Sequence, residues 1–424
     1  MRKICTVLIA VMCLMMCVSG AEGTEDFMAG EDEIRLDGIK QAREAVWNEY
    51  CLSHLGSEEL KSETEAQALV FGEVTMRYTV EVKGKMPENG YPLYIALHGG
   101  GASDTPDIND QQWGHMQVYY SDWLDCGVYV AVRGVRDTWD THFNPESYPL
   151  YDRLIEYMIL TQNVDPNRVY LEGFSAGGDG VYAISPRMAD RFAAVNMSSG
   201  HPNGVSLVNL YNLPIQLQAG EFDTAYDRNT VTAQYGVYLD ELQAAEPEGY
   251  AHRVLIHLNK GHNYPDYEAT KQYIIENYAD WLNGSDALKY ARIDCFPPHY
   301  MRDFVRNPLP ERVIWDLNTR AEMRKTESFY YLSAPIGAKG TLRVDLAGDN
   351  RIEIDASEFE GDFDIYLNED MIDFARPVTF ALDGREISVE VRPSLEVLKA
   401  TTLERGDRNY QFEAKVSYSQ LLEK

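Results

Sequence analysis

The sequence predicts an α/β fold: a mostly parallel sheet with helices on both faces, followed by a smaller β-rich, sandwich-like region. Three observations lead there. Between about residues 92 and 258, runs that read as buried strands, the first of them (92–97) apolar throughout, alternate with segments of helical period. Such runs are strands buried on both faces, and their alternation with helices gives a parallel sheet covered on both sides. Around 285–310 the chain turns proline-rich, and beyond 311 it reads as short strands bounded by turns. Finally, the run 168–172 leads straight into Gly173-Phe174-Ser175-Ala176-Gly177-Gly178, a buried strand, a sharp turn and a helix start.

Taken in order, residues 34–52 carry Ile39, Ala42, Val46 and Tyr50 at helical spacing, a helix expected to pack on the domain that follows. In 74–83, Val74, Met76, Tyr78, Val80 and Val82 alternate with polar residues, as in a half-exposed antiparallel edge strand. Buried strands follow at 92–97, 127–133, 168–172, 192–197, 214–219 and 252–258, with helices at 147–162, 228–244 and 268–282. Later strands are expected at 328–334, 341–346, 351–356, 363–367, 377–382, 385–391 and 411–418, with a short helix at 393–402. Asp383-Gly384 between two of them is a two-residue hairpin turn. The domains read from this are 22–290, catalytic with its N-terminal helix; 291–310, a linker; and 311–424, β-rich.

The 424 residues carry a net charge of −29, which argues against nucleic acid and anionic membrane surfaces as partners. Residues 1–21 read as a signal peptide: Arg2-Lys3, an apolar run from Ile4 to Val18, and the small residues Ser19-Gly20-Ala21. The expected location is periplasmic or extracellular. Cys13 and Cys17 in the apolar run follow Met rather than a small residue, which disfavours a lipoprotein. No other run is long enough to span a bilayer. The remaining cysteines, Cys51, Cys126 and Cys295, match no zinc spacing; they allow one disulfide with a thiol left over, or three free thiols, and Cys126 reads as a core residue.

The motifs that carry chemistry fall at the carboxyl ends of the expected strands, where open α/β sheets bind ligands. Gly173-x-Ser175-x-Gly177 has the context of a nucleophile elbow. At average composition such a pentapeptide arises by chance in roughly one chain in seven of this length, so an inert glycine turn is the competing reading. The string His98-Gly99-Gly100-Gly101, by chance in only about 0.3% of such chains, follows a buried strand upstream of the elbow. A serine hydroxyl needs an adjacent base, and the base needs a carboxylate to orient it. Asp223 follows the strand 214–219, and His262 follows the strand 252–258. Glu221 and Asp227 share the first loop and compete with Asp223; His142 and His201 compete with His262.

With Leu97-His98-Gly99-Gly100-Gly101, the stretch from Asp165 through the elbow to Gly178, Arg191-Phe192-Ala193-Ala194, Gly220-Glu221-Phe222-Asp223 and Gly261-His262, the chain resembles the α/β-hydrolase superfamily. Within it, the chain looks like secreted esterases of the polyhydroxybutyrate-depolymerase and dienelactone-hydrolase type. The likeness covers about 70–290. It implies Ser175 as nucleophile, His262 as base and Asp223 as orienter. It also implies an oxyanion hole from the Ala176 N–H and one of Gly99, Gly100 or Gly101. The expected activity is hydrolysis of carboxylic esters, such as acetyl or feruloyl esters on polysaccharides, without a cofactor. A serine peptidase of prolyl-oligopeptidase type and an inactive binding module are the alternatives. Trp139, His142, Phe143 and His201 are candidates for the substrate pocket, against the reading of a plain packed loop. Asp104, Asp107 and Asp110 do not have the spacing of an EF-hand loop and read as solvated acids, so no metal is expected; Asp179, just after the elbow, reads as structural.

Overall fold

The computed structural model describes residues 27–105, 107–262, 296–319 and 326–424. The expected leader 1–21, the helix expected at 268–282 and Cys295 lie outside them. Among the described residues no helix is long and apolar enough to cross a membrane.

Helices α1 (Ile39–Leu55) and α2 (Glu58–Ala66) precede an eight-stranded sheet. Its strands are β1 (Ala68–Phe71), β2 (Val74–Lys83), β3 (Tyr91–Leu97), β4 (Gly127–Val132), β5 (Val164–Phe174), β6 (Ala194–Ser198), β7 (Ile215–Gly220) and β8 (His252–His257). They lie in the order β1-β2-β4-β3-β5-β6-β7-β8. β1 and β2 pair antiparallel at one edge, β4 pairs with β3 in parallel, and β5 to β8 pair in parallel. Between strands run α3 (Ile108–Tyr119), α4 (Ser147–Gln162), α5 (Ala176–Ile184) and α6 (Arg228–Ala245). This is the mostly parallel sheet, with helices between its strands, that the alternation of strand and helix runs predicted. β4, β6 and β7 are buried at every residue, as strands covered on both faces must be. At the edge, Val74, Met76 and Tyr78 of β2 are buried while Thr75 and Arg77 face solvent. Cys126 differs from expectation: it sits half-buried at the bend before β4, its thiol donating to the Lys85 carbonyl at 3.2 Å.

The chain divides into two compact units. One comprises 67–151 and 167–306 and holds nearly all of the sheet. The other comprises the N-terminal residues through Ala66, 152–166 and 307–424. This corrects the expected placement of α1. Its stripe of Ile39, Ala42 and Val46 packs on Phe27, Ile34 and Leu398, and Arg43 pairs with the buried Glu413. All of these belong to the second unit. Periodicity made the helix amphipathic but did not say which surface it covers.

That second unit contains two β-sheets, as the C-terminal strands implied. After the short helix α7 (Pro297–Met301) the strands are β9 (Arg312–Asp316), β10 (Thr326–Phe329), β11 (Leu332–Pro335), β12 (Lys339–Gly348), β13 (Arg351–Glu360), β14 (Asp364–Leu367), β15 (Val378–Leu382), β16 (Arg385–Val389) and β17 (Ala414–Ser417). One sheet is β10-β11-β14-β17 and the other β16-β15-β13-β12-β9. Trp315 of β9 stacks on Phe329 of β10 at 5.4 Å, so side chains of the two sheets meet. Asp383 and Gly384 both take positive φ, 51° and 75°, the geometry that a two-residue hairpin turn between right-twisted strands requires.

One buried group in the main sheet stands apart. Glu172 lies on β5, three residues before the elbow serine, and is 0% exposed. Neither carboxylate oxygen has a hydrogen-bond partner among the described residues. Its register neighbour Asn196 is occupied by Gln216 and Gln218, each donating to Asn196 Oδ1 at 2.9 Å. Burial pushes the Glu172 carboxyl well above its ordinary range, so the native state holds it protonated. The unfolded chain releases that proton above pH ~4.3 while the native chain keeps it. The contribution to stability is therefore full below that pH and declines as pH rises toward the folded value. The slope is up to about 1.4 kcal/mol per unit. Glu172→Gln removes the titrating proton. Denaturant unfolding at pH 5 and pH 7 is expected to show the variant gaining on wild type at the higher pH. A difference between the two proteins that does not move with pH would mean that Glu172 is ionised and paired in the native state.

Candidate active site

The elbow follows from local sterics. β5 ends at Phe174, α5 starts at Ala176, and Ser175 between them takes φ 59°, ψ −121°, a sparsely populated conformation for a non-glycine residue. A Cβ on Gly173 would stand 2.2 Å from the Gly177 carbonyl oxygen, and one on Gly177 would stand 2.1 Å from that of Leu97. Only glycine allows the strand and helix to cross this closely. The Ser175 N–H donates to the Ser198 carbonyl at 2.9 Å, and its side chain is left projecting at the strand end.

Asp223 and His262 arrive from the ends of β7 and β8. Asp223 is 1% exposed. The Asn229 N–H donates to its carbonyl at 3.0 Å, and Asn229 Nδ2 donates to the Glu221 carbonyl at 2.7 Å. Glu221, the rival acid, spends its carboxylate on the Asn259 N–H at 2.7 Å, which ties the two loops together. Asp227, the other rival, is exposed. His262 Nδ1–H donates to Asp223 Oδ2 at 2.9 Å. Because a carboxylate only accepts, Nδ1 carries the proton and Nε2 offers its lone pair to the Ser175 hydroxyl, 3.0 Å away. The imidazole is about two-fifths exposed, while the Asp223 side chain is sealed from solvent.

The glycine loop sits opposite. His98 is fully buried, and its Nε2 accepts from the Gly134 N–H at 3.1 Å. The proton is therefore on Nδ1, which donates to the Gly99 carbonyl. Burial lowers the His98 pKa to about 4, so the ring is neutral. The Gly101 N–H is already used, donating to Asn109 Oδ1 at 2.7 Å. The Ala176 N–H is at the first position of α5, where a helix offers no acceptor of its own.

A cavity of about 440 Å³ opens between Ser175, His262 and Gly100 on one side and α3 on the other. Ile108, Gln112, His115, Met116 and Tyr119 of α3 line it together with Phe174. None of the four pocket candidates does so. His142 is fully buried behind the glycine loop, and its Nε2–H donates to the His98 carbonyl at 2.8 Å. Trp139 is 58% exposed and meets Phe143 edge-on at 5.2 Å. His201 Nδ1 accepts from the Asn203 N–H at 3.1 Å, and the His201 N–H donates to Asp179 Oδ1 at 2.7 Å, which gives Asp179 a structural task. The cavity wall was missed because α3 itself was missed. Its sequence, with Gly114 in the middle and few apolar residues, has no clear stripe. Asp104, Asp107 and Asp110 do not converge: Asp110 pairs with Arg77 and Arg133. Among the described residues no group of three or more His, Cys, Asp or Glu side chains is placed to hold a metal ion.

No protein-family model matches the chain, and no curated protein does. Among solved structures it is similar to a thermostable esterase, 20% identical over 56% of this chain and 62% of the esterase, with a TM-score of 0.38. It is also similar to a poly(3-hydroxybutyrate) depolymerase from Bordetella parapertussis, at 15% identity over 51% of this chain and 88% of that one, TM-score 0.35. A third is the Bacillus cereus carboxylesterase, at 17% identity over 54% and 100%, TM-score 0.33. The chain thus spans less than two thirds of the thermostable esterase. The fold is read from the strand order and the elbow, to which these scores add nothing.

Proposed function

We propose that this protein is an exported serine hydrolase of carboxylic esters that works through an acyl-enzyme. One observation carries the reading: Ser175, His262 and Asp223 form a continuous hydrogen-bonded chain at 3.0 and 2.9 Å, from three strand ends of one sheet. In the reaction His262 Nε2 takes the Ser175 proton as Oγ attacks the acyl carbon. The carbonyl electron pair moves onto oxygen, where backbone N–H groups stabilise it, each worth roughly 3–4 kcal/mol. Collapse of this intermediate breaks the bond to the alcohol oxygen, which takes the proton back from His262 Nε2. Water then enters by the same steps, releasing the acid and restoring Ser175. Ala176 N–H is one oxyanion donor. Gly100 N–H is the other: a trans peptide sends its N–H opposite to the Gly99 carbonyl, which His98 holds, and Gly100 borders the cavity. Export rests on the leader-like residues 1–21, and acyl groups carried on polysaccharides suit an exported esterase.

The test is turnover of p-nitrophenyl acetate, butyrate and ferulate by residues 22–424, beside alanyl- and prolyl-p-nitroanilide. Ester cleavage is expected. Cleavage of the anilides alone would replace the reading with a peptidase, and an enzyme inert to all of them that also fails to react with a fluorophosphonate would end it. In this reading the cavity along α3 takes the acyl group. Ile108→Trp fills part of it and is expected to lower kcat/KM for butyrate about tenfold relative to acetate, in the range that a methylene-sized misfit costs. An unchanged ratio would place the alcohol there instead.

A further inference from the structure

Asn109 lies in the first turn of α3, is 2% exposed, and belongs to neither the hydrogen-bonded triad nor the cavity wall. Its amide grips a single residue of the glycine loop from both sides. Oδ1 accepts from the Gly101 N–H at 2.7 Å, and Nδ2 donates to the Gly101 carbonyl at 2.9 Å. The second Nδ2 hydrogen goes to Asp137 Oδ1 at 2.8 Å. Asp137 is paired with Arg133, a side chain 8% exposed that also donates to the Gly134 carbonyl at 2.7 Å and to Asp110 at 3.2 Å. The Arg133 hydrogen bond holds the Asp137 carboxyl below its usual range.

This order removes an ambiguity. An amide alone could sit either way round. Asp137 only accepts, so Nδ2 must face it, and Oδ1 is then turned toward the loop. Two consequences follow. The Gly101 N–H is consumed and is no oxyanion donor. A Cβ at Gly100 would stand 2.5 Å from Asn109 Oδ1, so the amide packs against the very residue whose N–H remains. Gly100 and Gly101 take φ of 109° and 90°, conformations of a flexible dipeptide that need external fixing if a donor is to be held in place.

We propose that Asn109, oriented by Asp137 and Arg133, is a positioning residue that presets the Gly100 N–H toward the developing oxyanion. The inference rests on the ester-hydrolase reading. It predicts a specific division of kinetic effects. Asn109 touches neither the triad nor the cavity, so ground-state binding is unaffected. Misplacing one oxyanion donor acts in the transition state, where such a loss costs up to about 10²–10³ in rate.

Three variants are compared with wild type by kcat, KM and the affinity for an alkylboronic acid, whose tetrahedral serine adduct places an anionic or hydroxyl oxygen where the oxyanion forms. Asn109→Ala is expected to lower kcat by about 10- to 100-fold with KM within threefold, and to weaken the boronic acid by a similar factor. Asn109→Asp sets two carboxylates against each other and is expected to be as poor. It keeps the acceptor for the Gly101 N–H and loses both donors. Joined with Asp137→Asn, the repulsion is removed and a donor stands again between positions 137 and 109. That pair is expected to recover at least fivefold in kcat over Asn109→Asp alone. If wild type hydrolyses esters and Asn109→Ala stays within twofold in kcat, the clamp is overturned and the hydrolase stands. If Asn109→Ala does not fold, the paired variant decides, and its failure to exceed Asn109→Asp overturns the clamp. If wild type hydrolyses none of the esters and does not react with a fluorophosphonate, the ester-hydrolase reading falls and the clamp with it.

Discussion

Ser175→Ala is expected to lower ester turnover by about 10⁴-fold or more, with the fold intact. The size of the effect follows from how the site divides its work. In the proposed reaction the Ser175 hydroxyl bonds the acyl carbon, and its proton is the one that His262 Nε2, 3.0 Å away, is placed to take. Without Oγ the base and its carboxylate have nothing to activate, and what survives is the oxyanion hole acting on water, which leaves only a small part of the acceleration. The structural cost is small because the backbone holds the elbow. Ser175 N–H bonds to the Ser198 carbonyl at 2.9 Å, the Asp179 N–H bonds to the Ser175 carbonyl at 3.0 Å, and alanine keeps the same Cβ at φ 59°. Thermal unfolding within a few degrees of wild type, together with lost turnover and lost fluorophosphonate labelling, is the expected result. Full turnover in the variant would move the nucleophile elsewhere.

The residues that the sequence made legible are those whose constraint is local. The strands flanking the elbow are rich in apolar residues because they are buried on both faces. Gly173 and Gly177 are legible because a Cβ at either would collide with backbone, and Asp383-Gly384 because a two-residue hairpin needs positive φ twice. Ser175, Asp223 and His262 could be named because each follows a recognisable strand, in the chain order Ser, Asp, His that this fold uses. The unreadable parts depend on long-range packing. Helix α3 has no clear apolar stripe, since one side lines an open cavity with Gln112 and His115, so its period is hidden. Trp139, His142 and Phe143 announce an aromatic loop, yet one is exposed and another buried against His98, and nothing in their order says which. Asn109 reads as a polar residue beside three acids; only the approach of residues 101 and 137 turns it into a clamp.

Asp223→Asn tests the orienting member of the proposed triad and is expected to cost about 10³- to 10⁴-fold in kcat with little change in KM. Asp223 is buried and does not line the cavity, so substrate binding does not see it. Its carboxylate makes one hydrogen bond among the described residues, that to His262, and Oδ1 has no partner. An asparagine here is therefore not locked by a second neighbour. With its oxygen toward His262 Nδ1, it keeps the tautomer but withdraws the negative charge that stabilises the imidazolium formed when Ser175 gives up its proton. With its NH₂ toward Nδ1, it forces the proton onto Nε2, and the base then points a hydrogen at the serine it should deprotonate. Both orientations act on the proton-transfer step, so kcat carries the loss. Asp227→Asn in the same loop is the control: that side chain is exposed, and its removal is expected to leave kcat within twofold. If the two variants lost activity equally, the carboxylate that orients His262 in solution would not be the one that stands 2.9 Å from it in the structure.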